Sequence, residues 1–300
     1  MAGPTHVGLI GVGTMGRGLA RNLTTKGHAL GVFDRDPRAC AEAESFGART
    51  SASLAELASS CDVILTCLPS VAAIDAVYRG PQGLLASAPR GAVLVDLSTG
   101  DPALARDCAA RAHERGLDFL DAPMLRNPEA AWNGTLHLIV GGDAAVLERV
   151  RPVLQAVSER VMHVGPVGAG QVLKLINNAV TISNTAILCE VFGVARAQGV
   201  DLALLAEALG NSMAGSKVLP SVAQRLIDDD HRPLFATDVV KKDISLYTAL
   251  AAGIGCMSPI GDAVRDLVRV ASGMGYGAQH YTRVATVLEI GSGRTPEGAR

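Results

Sequence analysis

The stretch His6-Val-Gly-Leu-Ile-Gly11-Val-Gly13-Thr14-Met15-Gly16 opens the chain with an apolar run, three spaced glycines and then a helix-like segment reaching Lys26. This is Gly-x-Gly-x-x-Gly set between a strand and a helix. The first glycine permits the tight turn, the second lets the backbone approach a pyrophosphate, and the third lets the helix pack closely on the strand. The helix start adds unpaired N–H groups and a positive dipole end. The next apolar run, 29–33, is followed by Asp34. It stands about 20 residues past the glycines, where an acid that bonds a ribose is expected. Gly11, Gly13, Thr14, Met15, Gly16 and Asp34 together read as a dinucleotide site; a glycine turn without a ligand is the plainer alternative. Asp34 favours NAD, because a carboxylate repels a 2′-phosphate. Arg35, the next residue, can serve such a phosphate, so NADP stays open.

From this start the first half alternates. Strand-like runs fall at 6–10, 29–33, 63–68, 92–97 and 117–120, with further candidates at 135–140 and 161–164. Helix-like runs lie between them, such as 37–46, 102–115 and 144–157. Such alternation predicts a parallel sheet covered on both faces. Gly165, Pro166, Gly168 and Gly170 then mark a boundary. Beyond it apolar residues recur at helical spacing, with candidate helices at 171–197, 202–209, 219–227, 237–251, 259–272 and 279–288. The expected fold is α/β: a Rossmann-type parallel-sheet domain at 1–165, then an all-helical domain at 166–290 joined by the long helix, then a frayed tail at 291–300.

Composition bounds the function. At 300 residues, 48% apolar, the chain can build two cores; with only 3% aromatics those cores are aliphatic. The net charge of −2 and the lack of a basic stripe argue against nucleic acid. The six cysteines are scattered, with no Cys-x-x-Cys and no Cys/His zinc spacing, so no metal site is expected. They fit a reducing compartment, and with no visible signal peptide the expected location is the cytoplasm. The long helix carries Lys174, Asn177, Asn178, Asn184 and Glu190, a set that a membrane span does not readily accept.

In an open parallel sheet, ligands bind past the carboxyl ends of the strands. Leu68-Pro69, Asp96-Leu-Ser98-Thr99-Gly100 and Asp121-Ala-Pro-Met-Leu-Arg126-Asn127 fall there with the glycine loop. Thr99 or Asp101 can also simply cap the helix that begins near Pro102. Lys174 and Asn178, at i and i+4, share one face of the long helix. A lysine followed by two asparagines in an apolar helix suits a polar cleft, and desolvation brings a lysine toward a pKa useful for proton transfer. A lysine snorkelling to the surface is the competing reading.

These motifs in this order resemble the β-hydroxyacid dehydrogenase family, which includes 3-hydroxyisobutyrate dehydrogenase and tartronate semialdehyde reductase. Gly8-Leu-Ile-Gly-Val-Gly-Thr-Met-Gly16 looks like its N-terminal signature, Asp96-Leu-Ser-Thr99 like its strand-end motif, and Asp121-Ala-Pro with Gly134-Thr-Leu136 like its substrate loop. Gly168-x-Gly170-x-x-x-Lys174-x-x-x-Asn178 looks like its catalytic helix, and Lys242-Asp243 like its late lysine. The resemblance implies hydride transfer between a nicotinamide and a small hydroxy acid or semialdehyde. Lys174 is then the general acid/base and Asn178 orients the substrate. Ser98 binds the substrate's acid group or lies next to it, Thr99 lies at the nicotinamide ribose, Leu68-Pro69 along the cofactor, and Lys242 closes over it. It also implies a homodimer or homotetramer. An imine reductase shares the architecture but typically lacks the lysine. A non-catalytic relative would be expected to have lost Lys174 or the glycines.

One departure stands out. Where the family reads Ser-Gly-Gly, this chain has Leu125, Arg126 and Asn127. Arg126 is similar to the loop arginine of the family's sulfolactaldehyde reductases, although Leu125 and Asn127 are not. The expectation is that Arg126 and Asn127 bind an anionic substrate group: carboxylate, sulfonate or phosphonate. The alternative is that Arg126 pairs with Glu129 or another surface acid. Trp132 is expected to pack this loop rather than wall a pocket.

Overall fold

The computed structural model describes residues 5–293. Most of the expected tail, from residue 294 on, lies outside the described residues. The chain divides into two compact units that part between Lys174 and Leu175. That division falls inside the long helix, whereas the sequence pattern sets it at residue 165. The first turns of the helix bond into the first unit, as described below, and so count with it.

In the first unit, β1 (His6–Ile10) leads to α1 (Gly16–Thr25), β2 (Ala29–Phe33) to α2 (Pro37–Ser45), and the short β3 (Arg49–Thr50) to α3 (Leu54–Ser59). Then come β4 (Val63–Thr66), α4 (Val71–Arg79), α5 (Leu84–Ser87), β5 (Val93–Asp96), α6 (Pro102–Glu114) and β6 (Asp118–Asp121). β7 (Met124–Leu125), α7 (Pro128–Asn133), β8 (Leu136–Gly141), α8 (Ala144–Val157) and β9 (Ser158–Gly165) complete the unit. Helix starts follow local chemistry: Ser53, Ser70 and Asp101 each accept a backbone N–H of the helix they precede.

The strands lie in the order β3-β2-β1-β4-β5-β6-β8-β7, with β9 also on β8. β1 to β6 are parallel, so their carboxyl ends share one edge. Val63 and Leu65 pack on one face with Leu9 and Val95, and Ile64 and Leu94 on the other with Leu57 and Tyr78. Burial on both faces is what a parallel sheet requires. The expected parallel order reverses past β6. β8 runs antiparallel to β6, with Asp121 opposite Gly141. The connection between them holds only the two-residue β7 and the six-residue α7.

α9 (Ala169–Ala197) runs from the first unit into the second. There follow α10 (Leu202–Gly210), α11 (Leu219–Ile227), α12 (Thr237–Gly253), α13 (Pro259–Ala271) and α14 (Val284–Gly291). The helix expected at 279–288 is broken: the His280 side chain accepts the Thr282 N–H, and a 3-10 turn, Tyr281–Arg283, precedes α14. Ile182 and Phe192 of α9 pack with Leu226, Val240, Ile244 and Val268 in the core of this unit. α9 is long and apolar enough to cross a membrane by length and composition, and half of that apolar window is buried inside the chain. Its other side leaves Ile176, Val180, Ile187 and Val194 exposed.

Candidate active site

The glycine loop follows β1 at the carboxyl edge of the sheet. Gly11 has φ +89, and a Cβ there would stand 2.2 Å from the Cys67 carbonyl oxygen. A Cβ on Gly16 would stand 2.0 Å from the Gly11 carbonyl oxygen. The chain's own packing therefore requires both glycines. Gly13 differs: a Cβ there meets nothing within 4 Å. Its smallness keeps open a space outside the chain, which fits the close approach of a pyrophosphate. α1 has no side-chain cap and no acid in its first turn, so its start is electrostatically ready for an anion. Thr14 is exposed and Met15 half-buried.

Asp34 is half-buried past β2. Oδ2 accepts the Val12 N–H at 2.9 Å and Oδ1 the Asp36 N–H at 2.9 Å. A carboxylate has about four lone-pair sites, so two remain for a pair of ribose hydroxyls. Arg35 is exposed beside it. These residues fit a dinucleotide by geometry and donor set.

Past β4 and β5 the strand-end loops are bonded to one another. Ser98 is only 3% exposed, and its Oγ accepts the Leu68 N–H at 2.9 Å. Its own N–H donates to Asp96 Oδ1 at 3.0 Å, and its hydroxyl also bonds the Asp96 side chain. The Ser98 hydroxyl, expected at the substrate's acid group or next to it, ties the two loops together. Thr99 and Leu68 are half-buried, and Pro69 is exposed. Asp96 also accepts from Thr66 Oγ1 at 2.8 Å, which in turn bonds Tyr78. Burial pushes the Asp96 carboxyl up to about 6 against these hydrogen bonds, with the Asp121 charge adding to the rise.

Asp121, fully buried at the end of β6, holds the start of α9. Oδ1 accepts the Gly168 N–H at 2.7 Å and Oδ2 the Gln171 N–H at 2.8 Å. Burial raises its pKa, and these N–H groups pull the other way. The Gln171 amide continues the join: Nε2 donates to the Ser98 carbonyl and Oε1 accepts the Gly100 N–H, both at 2.9 Å. Lys174 stands one turn further on and is half-buried, which answers the surface-snorkel alternative only in part. The sequence reading named Asp121 within a motif and passed over Gln171. A glutamine in the first turn of an apolar helix is the one signal it offered.

In the second unit, two expected residues meet around a third. Asn178, 5% exposed, donates from Nδ2 to Asp243 Oδ2 at 2.7 Å. Lys242 Nζ lies 3.1 Å from Asp243 Oδ1. Asp243 is therefore the buried acid that fixes both.

In the arginine loop, Arg126 pairs with a surface acid. Arg126 Nη2 pairs with Glu159 Oε1 at 2.7 Å, and Nη1 donates to the Thr135 carbonyl at 2.9 Å. His137 reaches the same Glu159 oxygen at 2.9 Å. Bonding to His137, aided by the Arg126 charge, holds the Glu159 carboxyl below its ordinary range. Arg126 has φ +80, the left-handed region that glycine enters freely. The loop backbone here has a shape that a glycine would adopt without strain. Asn127, expected at the substrate, caps α7 by accepting the Ala130 N–H at 3.0 Å. Trp132 packs on Phe46, ring centroids 5.7 Å apart, under Arg21. Among the described residues no group of three His, Cys, Asp or Glu could hold a metal ion.

Comparison with known proteins gives the family. Residues 6–165 match the family model described as the NAD binding domain of 6-phosphogluconate dehydrogenase. Residues 168–288 match that described as the NAD-binding region of NADP-dependent 3-hydroxyisobutyrate dehydrogenase. An NAD-dependent L-serine dehydrogenase from Pseudomonas aeruginosa is 32% identical over 96% of this chain and 99% of its own. The chain belongs to the β-hydroxyacid dehydrogenase family. It is accordingly an NAD(P)-dependent oxidoreductase. Among members of this dehydrogenase family, a 2-(hydroxymethyl)glutarate dehydrogenase from Eubacterium barkeri is 31% identical over 98% of both chains. A solved 3-hydroxyisobutyrate dehydrogenase from Mycobacterium tuberculosis with L-serine superposes with a TM-score of 0.86, at 28% identity, over 95% of this chain and 99% of the other.

Proposed function

We propose that this dehydrogenase interconverts a small β-hydroxy acid and its semialdehyde, with Lys174 as general acid/base and NAD preferred to NADP. One observation carries the reading: the first turn of α9 is bonded to the ends of β5 and β6, on the sheet edge that also bears the glycine loop and Asp34. When bound, NAD(P) supplies or takes up the hydride. Lys174 gives a proton to the carbonyl oxygen in reduction and takes it from the hydroxyl in oxidation. Asn178, its amide set by Asp243, is assigned to orienting the substrate, and Lys242 to the cofactor. Asp34 selects NAD by accepting ribose hydroxyls and repelling a 2′-phosphate.

The substrate class follows from what the named relatives share. L-serine, 2-(hydroxymethyl)glutarate and 3-hydroxyisobutyrate all contain a primary alcohol one carbon from a carbon bearing carboxylate. Arg126, engaged by Glu159, gives no separate support to a sulfonate or phosphonate. The chain also works as a homo-oligomer in this reading, because the exposed side of α9 is apolar.

The test is a matched panel of carboxylate, sulfonate and phosphonate semialdehydes with NADH and NADPH. The carboxylates with NADH should give the highest kcat/KM. Lys174→Ala should lower kcat by about 10²–10⁴-fold with NADH affinity kept. Turnover retained in that variant at saturating cofactor removes the acid/base assignment, and a clear preference for NADPH removes the role of Asp34.

A further inference from the structure

Gln171 bonds the two peptide groups on either side of Thr99. Its Nε2 donates to the carbonyl before Thr99 and its Oε1 accepts the N–H after it, each at 2.9 Å. A side-chain amide here does what a neighbouring strand does for a residue in a sheet: it fixes one residue by a donor and an acceptor. The Gln171 backbone N–H is meanwhile held by Asp121 at 2.8 Å, and the side chain is fully buried. Gln171 and Lys174 are i and i+3, neighbours on one helix surface. All these residues lie in the first unit.

We infer that Gln171 is the positioning residue of this active site, setting Thr99 and the turn that carries Lys174 in one fixed geometry. The inference rests on the acid/base reading of Lys174. An amide is the side chain that suits the task, because a donor and an acceptor must be presented together to one backbone segment. No apolar residue can replace it, and an ionised carboxyl cannot either, being acceptor-only. A neutral carboxyl can: it offers one O–H donor and one C=O acceptor in the same plane.

That difference supplies the test. Gln171→Met removes both bonds at similar size. It should lower kcat by about 10²-fold, the scale of a 1 Å misplacement, while KM and NADH affinity stay within about threefold. Gln171→Glu should be active when its new carboxyl is neutral and fail as it ionises, because the charge then faces the Ser98 carbonyl. The charged groups around that position are Asp121 and Asp96 on the strand ends, Arg106 of α6 against Gly168, and Lys174 on the next turn. The two buried acids favour the neutral form. The expected result is a kcat ratio to the unchanged enzyme that falls by about tenfold or more between pH 5 and pH 8 for Gln171→Glu. For Gln171→Met that ratio stays low and flat. A merely structural glutamine would give no such pH dependence at constant NADH affinity. The inference is overturned if the Gln171→Glu ratio does not change with pH, or if Gln171→Met keeps kcat within threefold. Should Gln171→Met not fold, the Gln171→Glu profile decides alone. Lys174→Ala is assayed alongside. Turnover kept there removes the acid/base reading; turnover lost there but kept in Gln171→Met removes only the role of Gln171.

Discussion

Gly13 and Gly16 sit three residues apart and answer to different masters. A methyl group on Gly16 collides with the Gly11 carbonyl, while one on Gly13 meets empty space. Gly13→Ala should therefore keep its melting temperature within about 2 °C, a change of about 1 kcal/mol or less. It should still weaken NADH binding by about tenfold or more, read by fluorescence titration. Gly16→Ala should melt far lower. Equal melting losses in the two variants would mean that Gly13 serves the fold. At this scale the sequence was most legible where backbone shape decides, as at Gly11 and Gly16. It was least legible where a polar side chain chooses among partners. Nothing in the order of residues shows that Ser98 turns inward to Leu68 and Asp96, or that Glu159, more than thirty residues away in the chain, takes Arg126.

Among the elements, β5 and β6 place two acids side by side, Asp96 opposite Asp121 in the parallel register. Both are buried and both have raised pKa values, Asp96 to about 6. Between about pH 4 and pH 6 the folded chain keeps a proton on Asp96 that the unfolded chain has released. Stability from this group therefore falls as pH rises through that window, by about 3 kcal/mol over two units. Asp96→Asn cannot ionise. Its stability relative to the unchanged protein should improve by about 2–3 kcal/mol from pH 4 to pH 7. Urea unfolding at the two pH values measures this, and a constant difference would show that Asp96 carries no such strain. The long, strongly periodic elements were readable: β1, β2, α8 and α11 fall where the pattern set them. The reversal at β8 was not. The strand's own residues look alike in either direction, and the short α7 before it differs from a loop only by the Asn127 cap and Pro128.

At the scale of the whole molecule, Val180, Ile187 and Val194 recur every seven residues along α9, all exposed. A repeat of seven keeps one seam on a helix. Fully covering such side chains contributes about 1.5–3 kcal/mol each, so a second copy of the chain is the expected cover. Sedimentation should show a dimer or tetramer, and Ile187→Glu should weaken assembly by about 10²-fold or more. A monomer before any substitution would end this expectation. The change of plan was legible because alternating strands and helices give way to helices alone past Pro166; the contact division after Lys174 was not, because no residue at a helix join differs from its neighbours.

The scattered cysteines have a practical meaning once placed. Four are buried, Cys67 is half-buried under the glycine loop, and Cys256 alone is exposed. Burial, with the Asp96 and Asp34 charges, pushes the Cys67 thiol up to about 12, so it reacts slowly. The chain thus carries one fast labelling handle and one slow one, and the slow one lies against the turn proposed to meet the cofactor. Timed alkylation of the native protein can follow occupancy of that turn with no engineered reporter.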